Sequence, residues 1–180
     1  MTFLVARRRA VAAGVLIGLL LIHPSRLPAQ EVTAPALKAA YLFNFVKFTT
    51  WPDDALPDGD ALSMCVVNAP AVGRALTDAV QGRVVSGHAI RVTQAARVAD
   101  LRGCHVLFVS GSRAAAAEAV NATRGTAVLT VSDLPAFTDD GGIVQLFVQQ
   151  GNLRFTIKIE AARAARLQIS SKLLALSRKP

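Results

Sequence analysis

Cysteine, tryptophan and tyrosine are scarce in this sequence, and charged residues taken together are fewer than usual. Two cysteines in 180 residues are too few for a disulfide-rich scaffold or for a structural zinc site, which takes about four Cys or His ligands at short spacings. Charged residues make up only 18% of the chain and apolar residues 52%, a balance that excludes an intrinsically disordered protein. About 150 residues remain once the N-terminal segment is set aside, enough for one ordinary domain with its own core.

Residues 1–29 have the pattern of a secretory signal peptide. Three arginines at residues 7–9 precede an uncharged stretch, residues 10–22, and a polar break follows. A permanent transmembrane span is the weaker alternative, because the uncharged stretch is shorter than the roughly twenty apolar residues that cross a bilayer. We predict cleavage after Ala29 and export of residues 30–180 to an oxidising compartment, which in a bacterium is the periplasm.

The basic surplus of the exported part is modest. Residues 1–29 hold four of the 20 basic residues and no acid, which leaves 16 basic and 12 acidic residues in the remainder. These charges are scattered and are not interleaved with aromatic residues. The pattern favours a solvated basic surface over a nucleic-acid interface.

Short apolar runs alternate with helical patterns in the middle of the chain. Several runs are continuously apolar, which is typical of strands buried on both faces of a parallel sheet. We expect a single α/β domain with a mostly parallel sheet, strand order 2-1-3-4, and helices on both faces. The predicted strands are residues 62–67, 89–93, 105–110 and 126–131, and the predicted helices are residues 72–80 and 114–122.

The last third of the chain changes to an antiparallel pattern. Residues 143–149 and 153–159 flank a turn-prone link, which predicts a C-terminal hairpin with one solvent-facing side. Gly141 and Gly142 predict a turn with positive φ just before it. Residues 161–177 are predicted to form one terminal helix.

The first predicted helix, residues 36–51, is apolar on two faces. One stripe packs inward, while three further apolar residues project from the other side. Such a helix is buried on both sides, either by a second chain or wholly inside its own domain, and the sequence leaves both alternatives open. Together with two residues of the terminal helix, the second face predicts an interface formed by Leu42, Phe43, Val46, Ile169 and Leu173.

The sequence contains no recognisable catalytic or metal-binding constellation. His88 and His105 lack the nearby acids or cysteines of a local metal motif, so a structural or surface role is favoured for both over a catalytic or ligand role. Ser110 follows a strand and precedes a helix, where α/β folds place ligand sites, but it lacks the G-x-S-x-G motif. Gly73 lies in a helix start that lacks a Walker lysine. We therefore expect no enzyme, and no catalytic, cofactor-binding or metal-binding residues.

The two cysteines are placed so that they can pair. Cys65 lies in the first predicted strand and Cys104 just before the third, and with strand order 2-1-3-4 these strands are neighbours. Two buried free thiols are the alternative, which the predicted export disfavours.

An ordered set of motifs extends along nearly the whole of residues 30–180. It consists of AAYLFNFVKF at 39–48 closing on Trp51-Pro52, MCVV at 64–67, CHVLFV at 104–109, VLTVSD at 128–133, Phe137 leading to Gly141-Gly142, and LQISSKLL at 167–174. As a set, these motifs resemble the YfiR-like family of bacterial periplasmic regulators.

The resemblance implies a secreted, often dimeric domain without a catalytic role, in which Cys65 and Cys104 match a structural disulfide. It further implies that the protein represses a membrane-bound diguanylate cyclase by binding its periplasmic part, and so restrains cyclic-di-GMP signalling and biofilm formation. The expected partners are that periplasmic part and a second copy of the chain. Lys158 and Arg166 depart from the family pattern, where Asn and Gly are expected, and the second cysteine pair that some members carry near the hairpin is absent.

A periplasmic small-ligand receptor is the alternative function. It would use the loops after the parallel strands, around Gly73 and residues 110–112.

Overall fold

The structure is a computed structural model that describes residues 34–100 and 102–178. The predicted signal peptide and its cleavage site lie outside the described residues. The described helices are α1 (Ala34–Lys47), α2 (Pro70–Val80), α3 (Arg113–Ala122), α4 (Ile159–Ala164) and α5 (Ser171–Leu176), with a 3-10 turn at Val98–Asp100. The described strands are β1 (Thr49–Thr50), β2 (Leu62–Val67), β3 (Val84–Val85), β4 (His88–Ala95), β5 (Val106–Val109), β6 (Leu129–Ser132), β7 (Val144–Gln149), β8 (Asn152–Ile157) and β9 (Gln168–Ile169).

Seven of these strands form one sheet in the order β3-β4-β2-β5-β6-β7-β8. The five strands from β4 to β7 run parallel, and the edge strands β3 and β8 are antiparallel to their neighbours. The predicted 2-1-3-4 order is confirmed by β4-β2-β5-β6. The central strands are buried almost throughout, because helices cover both faces of the sheet.

The two faces of the sheet carry separate apolar clusters. Met64, Val66 and Phe108 face the larger cluster, which includes residues of α1, α2, α4 and α5. Val67 and Leu107 face the other side, where α3 and the 3-10 turn pack. The predicted placement of helices on both faces is therefore confirmed.

The predicted single helix at residues 161–177 is wrong. Helix α4 ends at Ala164, Arg166 adopts φ +60°, and Leu167 is buried. A left-handed residue cannot continue an α-helix, so the chain turns and β9 pairs antiparallel with β1. The Ser170 hydroxyl then accepts a hydrogen bond from the Lys172 N–H and starts α5.

The C-terminal hairpin formed by β7 and β8 is confirmed. In β8 the side chains of Leu153, Phe155 and Ile157 are buried, whereas those of Arg154 and Thr156 are only partly covered. No helix in the described part of the chain has the length and apolarity needed to cross a bilayer.

Candidate interaction surface

Helix α1 is covered mainly by its own domain. The rings of Phe45 and Phe155 pack edge to face with centroids 5.1 Å apart, and Tyr41 contacts both of them. Leu42 and Val46, two of the predicted interface residues, are 0% and 1% exposed and belong to the larger apolar cluster. For these two side chains the structure supports the intradomain alternative, because they are fully enclosed by this domain.

The other three predicted interface residues differ in exposure. Leu173 is buried in the same cluster, whereas Phe43 and Ile169 are partly exposed. Two cations approach the ring of Phe43, with Lys47 Nζ 5.7 Å and Arg83 Cζ 5.1 Å from its centroid. Of the predicted set, Phe43 and Ile169 are therefore the residues that keep surface available for a partner.

An apolar groove of about 370 Å³ lies between α1, β8 and α5. We call it the α1–α5 groove; its lining residues are Tyr41, Asn44, Phe45, Phe48, Arg154, Phe155, Leu173 and Leu176. Leu176 is 69% exposed, which is unusual for a large apolar side chain at the end of a packed helix. Sequence analysis missed this groove, because a single helix at residues 161–177 would have oriented Leu176 differently.

The C-terminal residues cover the outer edge of β8 beside this groove. The Arg178 N–H donates to the Phe155 carbonyl at 2.9 Å, and the Ser177 hydroxyl accepts from the Ile157 N–H at 3.1 Å. The Tyr41 hydroxyl donates to the Leu153 carbonyl at 2.8 Å. These contacts satisfy backbone groups that an edge strand would otherwise offer to a strand of another chain.

A polar network joins α1 to the carboxyl ends of the parallel strands. The Ser110 hydroxyl donates to one oxygen of Asp133 at 2.8 Å, and the Lys38 ammonium pairs with the other oxygen. Because these side chains satisfy one another, they serve to hold α1 against the sheet. At the end of β4, the side chain of Gln94 lies over Gly73 and fills the space above it. Ser110 and Gly73 are thus in contact with the protein's own side chains, while a cavity of about 370 Å³ lined in part by Asn68, Pro70 and Gln94 remains open beside them.

Both histidines are tied to the backbone. The Nδ1 atom of His105 accepts from the Ser63 N–H at 2.9 Å, so its Nε2 carries the proton that bonds the Ala55 carbonyl at 3.0 Å. The Nδ1 atom of His88 bonds the Asp60 carbonyl at 2.8 Å. Of the two roles favoured from the sequence, structural or surface, these contacts give both side chains a structural one. Within residues 34–100 and 102–178, no group of three or more His, Cys, Asp or Glu side chains is arranged to hold a metal ion.

The predicted disulfide between Cys65 and Cys104 is confirmed. Their Cα atoms are 5.8 Å apart, which is within the usual range for a disulfide. Cys65 lies in β2, and Cys104 lies two residues before the neighbouring strand β5. The bridge therefore ties together two central strands that are distant in sequence.

Comparison with known proteins places this architecture in a family. The family model described as YfiR/HmsC-like matches residues 35–178, which covers all the elements described above except the first residue of α1. No curated protein matches the chain. A solved structure, the conserved domain protein from Vibrio cholerae O1 biovar El Tor strain N16961, shares the fold with a TM-score of 0.50 at 14% identity. The match covers 79% of this chain and 59% of that one. On the strength of the family match, this chain belongs to the YfiR/HmsC-like family.

Proposed function

We propose that this chain is a periplasmic regulatory binding protein that represses a membrane-bound diguanylate cyclase through protein–protein contact, and so lowers cyclic-di-GMP signalling. The family match over residues 35–178 carries the proposal. The YfiR/HmsC-like family is regulatory rather than catalytic and is periplasmic, and membership is consistent with control of cyclic-di-GMP signalling.

The disulfide supports action in the periplasm. Bridges such as Cys65–Cys104 persist in oxidising compartments and are rare in the cytosol. A signal peptide at residues 1–29 would deliver the chain there.

The chemistry of the polar side chains supports a binding role. The Ser110 hydroxyl donates a hydrogen bond to Asp133, and the other oxygen of that carboxylate is held by Lys38. Both ring nitrogens of His105 are engaged by backbone groups. A nucleophile needs a base that is free to take its proton, and these side chains are instead used to hold loops and helices in place.

Repression of a cyclase requires a difference in affinity between two states of the partner. A protein that binds the inactive conformation of the cyclase's periplasmic region more tightly than the active one shifts the population toward the inactive state. Moving that equilibrium from 1:99 to 99:1 takes a preference of about 10⁴-fold. The partly exposed residues Phe43 and Ile169 are candidates for this contact or for contact with a second copy of the chain.

The proposal is tested by direct binding. Residues 30–180 are titrated in a calorimeter with the purified periplasmic region of a membrane diguanylate cyclase encoded beside this gene. We expect saturable binding that Phe43→Glu weakens, because a carboxylate would replace apolar contact area. If the wild-type chain does not bind this region and also does not lower the activity of the membrane-embedded cyclase, the proposal is wrong.

A further inference from the structure

We propose that the α1–α5 groove receives a protein segment that inserts an apolar side chain between α1 and α5 and places a carboxylate at Arg154. That the segment belongs to the cyclase rests on the proposed function. That the segment carries an apolar side chain and a carboxylate rests on the groove itself.

The walls of the groove supply the apolar part of the site. Phe48 lies on the α1 side and Leu176 on the α5 side, above the buried Leu173. Leu176 is one of three large apolar side chains that are exposed in the described part of the chain, and Leu176 lines this groove. Apolar side chains exposed around a groove are typical of a surface that contacts another molecule.

The charge of the groove selects an acidic occupant. Arg154 is half-buried, and its guanidinium takes part in none of the side-chain hydrogen bonds or ion pairs of the described part of the chain. The lining contains no carboxylate, and the adjoining segments carry Lys172 and Arg178. A guanidinium in partly apolar surroundings binds a carboxylate with strong, charge-assisted hydrogen bonds. A partner segment that supplies a carboxylate is therefore complementary to this site.

The same charges disfavour a second copy of the chain as the occupant. In a two-fold symmetric dimer the same surface patch contacts itself. Arg154 and its neighbouring cations would then face the identical cations of the second copy, and the lining supplies no carboxylate to pair with them. Like charges brought together at an interface weaken association. Because the edge of β8 is already covered by Ser177 and Arg178, the occupant contacts the groove through its side chains rather than by adding a strand.

Charge reversal and its control test the proposal. Arg154→Glu and Leu176→Asp should each raise the Kd for the cyclase's periplasmic region at least tenfold. Arg91→Glu, on β4 near the opposite edge of the sheet, and Ala117→Glu, on α3, are at exposed positions and should change the Kd less than twofold. Thermal unfolding followed by circular dichroism verifies that every variant is folded. Equal effects of the groove variants and the control variants would overturn the proposal.

A second experiment separates failure of the groove from failure of the proposed function. A benzophenone amino acid is placed at position 176 or at position 117 of the full chain in the producing cell, and cross-linked peptides are sequenced after irradiation. We expect position 176 to cross-link a peptide with Asp or Glu beside an apolar residue, and Arg154→Glu to abolish that product. If this peptide comes from a protein other than a cyclase, the groove proposal stands and the proposed function fails. Cross-linking to a second copy, no product, or the same product from position 117 would contradict the groove proposal.

Discussion

Loss of the disulfide should remove a large part of the stability of this domain. Cys65 and Cys104 are separated by 39 positions, and closing a loop of that length stabilises a protein by about 4 kcal/mol in the chain-entropy model. Domains of ordinary size are stable by about 5–15 kcal/mol in total. The bridge therefore accounts for roughly a quarter to most of the stability expected for residues 30–180.

Urea unfolding with and without a thiol reductant measures this contribution. With a denaturant slope of about 2 kcal/mol/M, a loss of about 4 kcal/mol lowers the urea midpoint by about 2 M. The double variant Cys65→Ala/Cys104→Ala should unfold near the midpoint of the reduced wild type and should not respond to reductant. Cys65 is 2% exposed within an apolar cluster, so replacing it with Ala removes packed atoms as well as the bridge. The reduced wild type keeps both sulfur atoms and is therefore the reference for the loss of the bridge alone.

Two results would refute this reasoning. The first is a urea midpoint that stays unchanged although thiol labelling shows that the disulfide is completely reduced. The second is stoichiometric labelling of both cysteines in the unfolded, non-reduced mature protein, since the bridge predicts no free thiol.

Three further predictions follow from individual contacts. Arg166 holds the pKa of Asp54 below its ordinary value by hydrogen bonding and charge; Arg166→Gly should return that pKa to its ordinary value in an NMR titration. The stabilisation from this pair is present above about pH 4 and is lost as the pH falls through the lowered pKa of Asp54, so the variant should lack that acid-dependent part of the unfolding free energy. Gly142→Ala should destabilise the domain by about 1–3 kcal/mol in urea unfolding, because the new Cβ would overlap the buried ring of Phe137; an unchanged midpoint would show that the ring moves freely. Phe43→Glu should preserve thermal unfolding, because two cations lie beside this partly exposed position, and should weaken association with a partner or a second copy in analytical ultracentrifugation, because it removes apolar contact area; failure of the variant to fold would show that Phe43 belongs to the core.

The parallel part of the sheet could be predicted from the sequence because its signal is local. The continuously apolar runs of β2 and β5 identify strands buried on both faces, and the right-handed connections of α/β folds leave few possible orders for them. Together with the predicted export, the position of Cys104 just before β5 predicts its pairing with Cys65. Each of these inferences depends on residues close together in sequence or on a general rule of topology.

The C-terminal segment could not be predicted in the same way. Its apolar residues recur at helical spacing, but Arg166 has a left-handed conformation that no local pattern indicates. Strand β9 contains two residues and exists because it pairs with β1, more than 100 residues earlier in the chain. Short strands of this kind depend on tertiary contacts rather than on intrinsic propensity.

The candidate surface was predicted only in part for a related reason. The two apolar faces of α1 were visible in the sequence, but which face remains exposed depends on what α2, β8 and α5 cover. Leu42 and Val46 are enclosed, whereas Leu176 is exposed. The link from Lys38 to Asp133 spans 95 positions, and the only local signal for it is a lysine within a mostly apolar helix.

Cellular cyclic-di-GMP is the most direct readout of the proposed regulatory role. Deletion of this gene should raise the concentration of the nucleotide, measured by mass spectrometry of cell extracts, and restoring the full chain should lower it again. A strain that also lacks the partner cyclase should show no rise. An unchanged concentration in the deletion strain under several growth conditions would contradict the account.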